Sequence, residues 1–223
     1  MLPESATVLH GNPRAPVPIF TGFLHPDVYD KNFKYLKERI SDDATGHRPT
    51  PLFPILISKR LTANAFDDVM SEYQIIDKPK FVALLEAQYA LSLVDHAGDP
   101  ARWAMVNAIL ALALRVKIAP GSEQTLRAFP CSFYRNAVAV LPELILQRSN
   151  LLAVQALQAM AVYARETQDY QAFAMLASNA LHLLELLGPL HLSSHQGLNE
   201  EDRRQYANAY VITQVFKKVT NAR

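Results

Sequence analysis

The most apolar continuous stretch of the chain runs from Asp99 to Arg115 and is bounded by polar residues at both ends. Read at 3.6 residues per turn, it carries two apolar stripes. They comprise Trp103, Val106, Leu110 and Ala113 on one side, and Met105, Ile109, Leu112 and Val116 on the other. A helix that is apolar on two sides is buried, so the pattern predicts a central helix around which the others pack.

Helical periodicity continues from residue 65 to the end of the chain, and no strand pattern of any strength follows residue 60. Helix starts are predicted near residues 65, 80, 101, 123, 142, 150, 171 and 200. Asp77 and Asn150 are predicted N-caps, and Pro130 and Pro142 are expected to divide residues 123–147 into two helices. Because the starts follow no constant period, we expect an all-α fold, an irregular multi-helix bundle or array, with a regular solenoid as the second choice.

The first 64 residues differ because they hold a large share of the prolines, which block long helices and sheet interiors. We expect an extended arm with one short helix from Asp27 to Ile40. The segment Pro51–Ile57 is expected to lie extended on the helical body, and the next helix to span Ala65 to Tyr73. This predicts two parts, a proline-rich arm (residues 1–64) and a helical domain (residues 65–223).

Charge and cysteine content narrow the function classes. The net charge is +1, with acidic and basic residues interspersed, so we expect this chain alone to bind nucleic acid poorly. Cys131 is the only cysteine, which excludes an internal disulfide framework and fits a reducing compartment. The N-terminus lacks a signal-peptide pattern and no apolar run reaches spanning length, so we expect no membrane partner.

Candidate catalytic and metal groups are sparse. His191 and His195 are four residues apart, but the surrounding proline, serines and glycine favour a loop over a metal site. His182 and Glu185 are three apart on a polar helix stripe, which is typical of a solvated pair. Cys131 follows a proline and lacks a nucleophile motif, so an idle thiol is expected. No catalytic or metal-binding residue is therefore assigned.

Several polar side chains lie on otherwise apolar helices and therefore need partners. They are Asn107, Gln155 and Tyr163. Hydrogen bonds to one another or to the backbone are the simpler explanation. The alternative is a small-molecule effector pocket formed by Trp103, Asn107, Gln155, Tyr163 and His182.

The order of six short motifs resembles the fungal-specific transcription factor domain, the middle homology region of binuclear zinc-cluster regulators. The resemblance covers roughly residues 60 to 218. The matching stretches are Ala65-Phe66 with Ile75–Phe81, Trp103–Ala113, Phe133-Tyr134 through Leu141, Ser149–Leu157 with Tyr163, Ala180–His191, and Glu201–Arg204 followed by Tyr210. It implies a regulatory domain that responds to a partner or an effector, acts in the nucleus and controls transcription by RNA polymerase II.

The chain also departs from the family pattern. The six-cysteine zinc cluster is absent, so the resemblance implies no DNA binding by this chain alone and no resident cofactor, since zinc belongs to that cluster. Gln205–Asn208 replaces an aromatic pair, and Phe216-Lys217-Lys218 replaces an aspartate-basic pair. The partners implied are other proteins or a second copy of the chain, with a possible small-molecule effector.

Two alternatives remain open. One is a helical small-molecule-binding protein or an enzyme of secondary metabolism that has reused the domain, which a co-purifying metabolite would support. The other is a ligand-free helical adaptor, for which an exposed apolar groove would be the distinguishing feature. A cytoplasmic location is the alternative to the nucleus, and whether the chain is an enzyme stays open, with a non-enzyme favoured.

Overall fold

The computed structural model describes residues 49–118, 122, 126–188 and 199–221. Within these ranges the secondary structure consists of α-helices and contains no strand. The helices are α1 (Ile55–Val69), α2 (Lys78–Leu91), α3 (Pro100–Lys117), α4 (Ala128–Ala139), α5 (Leu141–Leu146), α6 (Leu151–Glu166), α7 (Tyr170–Leu187) and α8 (Glu200–Asn221). The predicted all-α, irregular multi-helix array is confirmed.

The central helix is α3, as the two apolar stripes predict. Every residue from Pro100 to Ala113 is buried. The helix packs against α1, α2, α4, α5 and α6. Asp99 caps its first turn by accepting a hydrogen bond from the backbone nitrogen of Arg102 over 2.9 Å. Ala104, Ala108 and Ala111 are fully buried, and side chains this small allow neighbouring helices to approach closely.

The prediction for the segment before residue 65 is wrong where the structure describes it. Helix α1 begins at Ile55, ten residues before the predicted start, and ends at Val69 rather than Tyr73. Pro54 is the N-cap residue, where its missing N–H costs nothing, and its backbone oxygen accepts from Ile57 and Ser58. Proline thus opens this helix instead of preventing it.

Only the end of the predicted arm can be compared with the structure. Leu52 donates its backbone N–H to the oxygen of Leu93 over 2.9 Å, which holds the chain just before α1. Residues 1–48, including the helix predicted from Asp27 to Ile40, lie outside the described residues. The division of the chain into an arm and a helical domain stays a prediction, although its boundary at residue 64 falls within α1.

Other predicted helix limits are close to those observed. Residues 128–146 form two helices that meet at Val140, and Pro142 lies in the first turn of α5. Pro130 interrupts nothing because it lies in the first turn of α4, where proline is tolerated. Asn150 caps α6 through a 2.8 Å hydrogen bond from the nitrogen of Ala153. Asp77 occupies the predicted N-cap position of α2 but makes no side-chain capping bond.

Helices α6 and α7 pack closely, and α8 lies against both. The buried face of α8 carries Tyr206, Ala209, Ile212 and Phe216. Acidic residues lie in its first turn and Lys218 in its last, the order that a helix dipole favours. No described helix combines the length and apolarity needed to cross a bilayer.

Candidate functional site

Asn107 lies at the centre of the core, fully buried on α3. Its side-chain nitrogen donates to the backbone oxygen of Trp103 over 2.9 Å. Its side-chain oxygen accepts from Asn136 of α4 over 2.8 Å. Asn136 also exchanges two hydrogen bonds with the backbone of Thr50, over 2.8 and 3.0 Å. The two amides therefore hold the segment before α1 against the central helix.

Gln155 and Gln158, one turn apart on α6 and both fully buried, join this helix to α8. Gln155 donates to the side-chain oxygen of Gln205 over 2.8 Å and to the backbone oxygen of Ile75 over 2.6 Å. Gln158 donates to Thr213 over 2.9 Å and to the backbone oxygen of Ala209 over 2.7 Å. The two glutamines fix the position of α8 along α6.

Tyr163 is the third polar side chain on an apolar face. Its ring stacks on Tyr134, with centroids 4.4 Å apart, and its hydroxyl donates to the sulfur of Cys131 over 3.6 Å. Burial, followed by the contact with Cys131, raises the pKa of the Tyr163 hydroxyl, so the group stays a neutral donor. Cys131 is partly exposed, and its sulfur serves as the acceptor for this buried hydroxyl.

Asn107, Tyr163 and the side-chain nitrogen of Gln155 therefore have the predicted partners, which are protein groups, whereas the buried oxygen of Gln155 has no hydrogen-bond partner among the described residues. Trp103 is buried on α3, and His182 is partly exposed on α7. The five residues of the predicted effector pocket thus lie on α3, α6 and α7, and none of them lines the two clefts described in these ranges. A pocket built from them stays a prediction. His191 and His195 lie outside the described residues.

The connector between α1 and α2, residues 70–77, is held by side chains from distant parts of the sequence. Arg165 of α6 donates to Glu72 and to the Tyr73 hydroxyl, both over 2.8 Å. Arg204 of α8 donates to the Asp77 carboxylate over 2.7 Å. With the bond from α6 to Ile75, these contacts tie one short connector to two helices that follow it by 80 or more residues.

Aromatic packing reinforces the same connection. Phe216 of α8 is fully buried, with its ring 5.1 Å from Tyr73 and 5.2 Å from Phe173 of α7. The guanidinium of Arg165 lies 5.1 Å from the centre of the Tyr73 ring. The hydrogen bond from Arg165 holds the pKa of Glu72 below its ordinary value of 4.5, against the opposing effect of burial. Glu72 is consequently ionised in this arrangement at neutral pH.

A cleft of about 640 Å³ lies where the carboxyl ends of α1, α3 and α6 meet. Five aliphatic side chains form its apolar lining: Val69, Leu112, Val116, Ile118 and Val162. Its polar lining consists of Asp68, Ser71, Glu72, Tyr73, Arg115, Arg127, Glu166, Thr167 and Gln168. The volume lies within the roughly 300–1,000 Å³ of small-molecule sites, and the mixture of apolar surface with a few polar groups is typical of them.

The three carboxylates of this cleft share two cations, whereas two of its arginines have no carboxylate partner among the described residues. Asp68 pairs with Lys117 over 3.1 Å, and Arg165 pairs with both Glu72 and Glu166. Arg115 donates to the backbone oxygen of Glu166, the last residue of α6. Within the described ranges, neither Arg115 nor Arg127 has a carboxylate partner.

The sequence alone did not predict this cleft. Arg115 carried only the signal of a basic residue at a helix end, which predicts a return to water, and Arg127 carried no signal. Among the described residues, no group of three or more histidine, cysteine, aspartate or glutamate side chains is placed to hold a metal ion. The cleft can bind a ligand through apolar contacts and through hydrogen bonds from its guanidinium groups.

Comparison with known proteins identifies relatives that are named as transcription factors. An ABC-transporter-regulating transcription factor of Aspergillus fumigatus is 29% identical over 193 residues, which are 83% of this chain and 21% of the relative. A protein of the same name from Aspergillus oryzae is 28% identical over 193 residues, with the same shares. The Fusaridione A cluster transcription factor fsdR of Fusarium heterosporum is 28% identical over 153 residues, 65% of this chain and 29% of the relative.

The chain thus spans about a fifth of the length of the Aspergillus relatives. It matches no family model, and no solved structure matches it significantly. The chain is similar to fungal proteins that are named as transcription factors.

Proposed function

We propose that this chain is the regulatory domain of a fungal transcription regulator, which responds to a partner or a small-molecule effector and so controls transcription by RNA polymerase II. The observation that carries the proposal is the 29% identity to a named transcription factor over 83% of the chain. The order of helical motifs, which resembles the middle homology region of zinc-cluster regulators, supports the same role.

The packing of the domain suits this function. The buried amides of Asn107, Gln155 and Gln158 each join a core helix to another segment by geometrically defined hydrogen bonds. Buried polar groups with fixed partners favour one arrangement of helices over sliding alternatives. A domain with one such arrangement presents a defined surface to a partner. A ligand that binds another conformation better can shift the domain to it and so change that surface.

DNA recognition by such a regulator would come from another segment or another protein. The net charge of +1 provides no basic surface of the kind that neutralises a phosphate backbone. Protein partners, or a second copy of the chain, are the macromolecules that the domain would contact, and the nucleus is its place of action. Zinc would belong to a separate DNA-binding cluster, so this domain requires no resident cofactor.

The experiment is a replacement of the matched segment in the Aspergillus fumigatus relative by this chain, with a reporter gene transcribed under the control of the chimera. We expect the chimera to alter reporter transcription relative to the same protein with the segment deleted. The matched control is the chimera carrying Ala108→Arg, which places a charge in the fully buried core of α3. Equal reporter levels for the chimera, its control and the deletion would refute the proposal.

Location and assembly are measured on the same chimera and on the purified chain. A fluorescent fusion of the chimera should accumulate in the nucleus. Sedimentation of the purified chain over a range of concentrations distinguishes a self-associating domain from one that depends on other proteins. Persistent cytoplasmic location together with unchanged transcription would favour a role outside gene regulation.

A further inference from the structure

We propose that the cleft at the carboxyl ends of α1, α3 and α6 binds a small amphipathic anion, a molecule with an apolar body and one carboxylate or similar group. Arg115 and Arg127 would hold the anionic group, and the aliphatic lining would hold the body. This deepens the proposed function, because it names the site and the chemical class of the effector.

Both arginines of the cleft have hydrogen-bond donors that the described residues do not use. A guanidinium has five N–H donors, and Arg115 makes a single hydrogen bond within the described residues, to the backbone oxygen of Glu166. Arg127 makes no hydrogen bond or ion pair with the described residues, and it is exposed at the start of α4. Two arginines that line one cleft therefore retain most of their donors, in the planar geometry that suits a carboxylate.

The acidic residues that line the same cleft would repel an anion unless cations offset their charge. Asp68 is neutralised by Lys117 and Glu72 by Arg165, and both pairs are in direct contact. Glu166 lies 3.5 Å from Arg165. Because Arg165 also pairs with Glu72, it does not cancel the charge of Glu166 as well, and one negative charge remains near the two arginines.

The helix ends also contribute to the long-range electrostatic field at the cleft. The carboxyl end of each α-helix carries the equivalent of about −0.5 charge, and three such ends meet here. Together with the carboxylate charge that Arg165 leaves uncompensated, they offset the charge of the two arginines. Attraction over distance is therefore small, and recognition depends on direct guanidinium contact and on apolar burial. We accordingly expect weak binding that depends strongly on those two side chains.

The size and shape of the cleft favour a small molecule over a peptide as its ligand. The cleft offers about 640 Å³ and an apolar surface from five aliphatic residues, of which Val116 is 43% exposed. This space matches a compact ligand, whereas a helical or extended peptide needs a groove that continues along the surface. Ser71, Glu72 and Tyr73 of the connector also line the cleft, so a bound molecule contacts the segment that Arg165 and α8 hold.

The test uses octanoate as the probe, with octanol and octylammonium as its neutral and cationic counterparts, in calorimetric titrations of the whole chain. We expect saturable binding of octanoate and binding at least about tenfold weaker for both counterparts. The Arg115→Gln/Arg127→Gln variant should lose about tenfold in octanoate affinity. The matched control is Arg148→Gln/Arg203→Gln, which makes the same change of charge at two exposed positions away from the cleft and should bind like the original chain.

Four results would overturn the inference: no saturable binding of octanoate, equal affinity for octanol, equal losses in the two double variants, or binding of an acidic peptide but not of octanoate. Circular dichroism melting checks that each variant is folded. If loss of Arg115 unfolds the chain, Arg127→Gln alone gives the decision, because this side chain has no hydrogen bond or ion pair to lose within the described residues. Binding is measured without DNA or transcription, so its failure and that of the proposed function are distinguishable.

Discussion

The side-chain nitrogen of Asn136 donates a hydrogen bond to the side-chain oxygen of Asn107 over 2.8 Å, and both groups are buried. The same nitrogen donates to the backbone oxygen of Thr50, whose N–H is accepted by the Asn136 oxygen. One amide thus satisfies the central helix and a segment 86 residues earlier in the chain.

Asn136→Ala should lower the free energy of unfolding by about 1–3 kcal/mol, because it leaves the buried oxygen of Asn107 without this donor. Amide exchange at Thr50 should also become faster. The control is Ser132→Ala on the same helix, whose hydroxyl bonds locally to the backbone of Phe129 and should change stability by less than about 0.5 kcal/mol. Urea denaturation and hydrogen exchange give the two readings. Equal stability of the two variants would contradict the role assigned to Asn136.

Gln155 and Gln205 should show coupled energies. Gln155→Leu alone leaves the buried Gln205 oxygen without this donor and should cost about 1–3 kcal/mol, and Gln205→Leu a similar amount. The double variant should lose less unfolding free energy than the sum of the two single losses, because it leaves no buried amide of this pair without its partner. Chemical denaturation of all four proteins completes the cycle. Strict additivity would show that the 2.8 Å contact contributes no coupling energy.

Phe216→Ala should cost about 3–5 kcal/mol, because it removes a fully buried ring between Tyr73 and Phe173. Val211→Ala on the opposite face of α8, where the side chain is 60% exposed, should stay within about 0.5 kcal/mol of the original. Thermal unfolding followed by circular dichroism separates the two. A small effect of Phe216→Ala would mean that α8 is not held by this aromatic contact.

The sequence predicts elements wherever the local pattern decides the outcome. The two-sided apolar pattern from Trp103 to Val116 identifies a central helix because a helix that is apolar on two sides must be buried. The prediction from sequence fails around Pro54, where a proline-rich context indicates extended chain. Helix α1 forms there because it packs against α3, and the local sequence does not show this packing.

The need of Asn107 and Gln155 for partners is likewise visible in the sequence, because buried polar groups are bonded. Their partners are not visible, since Asn136 and Gln205 lie 29 and 50 residues away. The cleft was not predictable for the same reason. It exists only because three helix ends meet, and Arg115 and Arg127 have nothing in their local sequence to mark them.

The stability difference between the original chain and Arg165→Met should depend on pH. Arg165 holds the pKa of Glu72 below its ordinary value of 4.5, so the contribution of this pair is present above that value and is lost as the pH falls through the lowered pKa. The difference in melting temperature should therefore be largest near neutrality and shrink in acid. It should stay modest because Glu72 is largely solvent-exposed.

Glu72→Gln is the companion variant for this prediction. It removes the titrating group but keeps Arg165 and its bond to the Tyr73 hydroxyl. Its melting temperature should differ from that of the original chain near neutrality and approach it in acid. A difference that stays constant across the acid range, for either variant, would show that the ion pair does not contribute to the pH dependence.

The connector at residues 70–77 has a consequence for how the chain folds during synthesis. Asp77 is made 127 residues before its partner Arg204, which at about 5–20 residues per second corresponds to roughly 6–25 s on the ribosome. During that interval the connector, whose Ile75 and Ile76 are buried in the finished domain, lacks the contacts that Asp77 and Tyr73 make with α8. The connector therefore gains its last tertiary contacts only when α8, the final described helix, has been made.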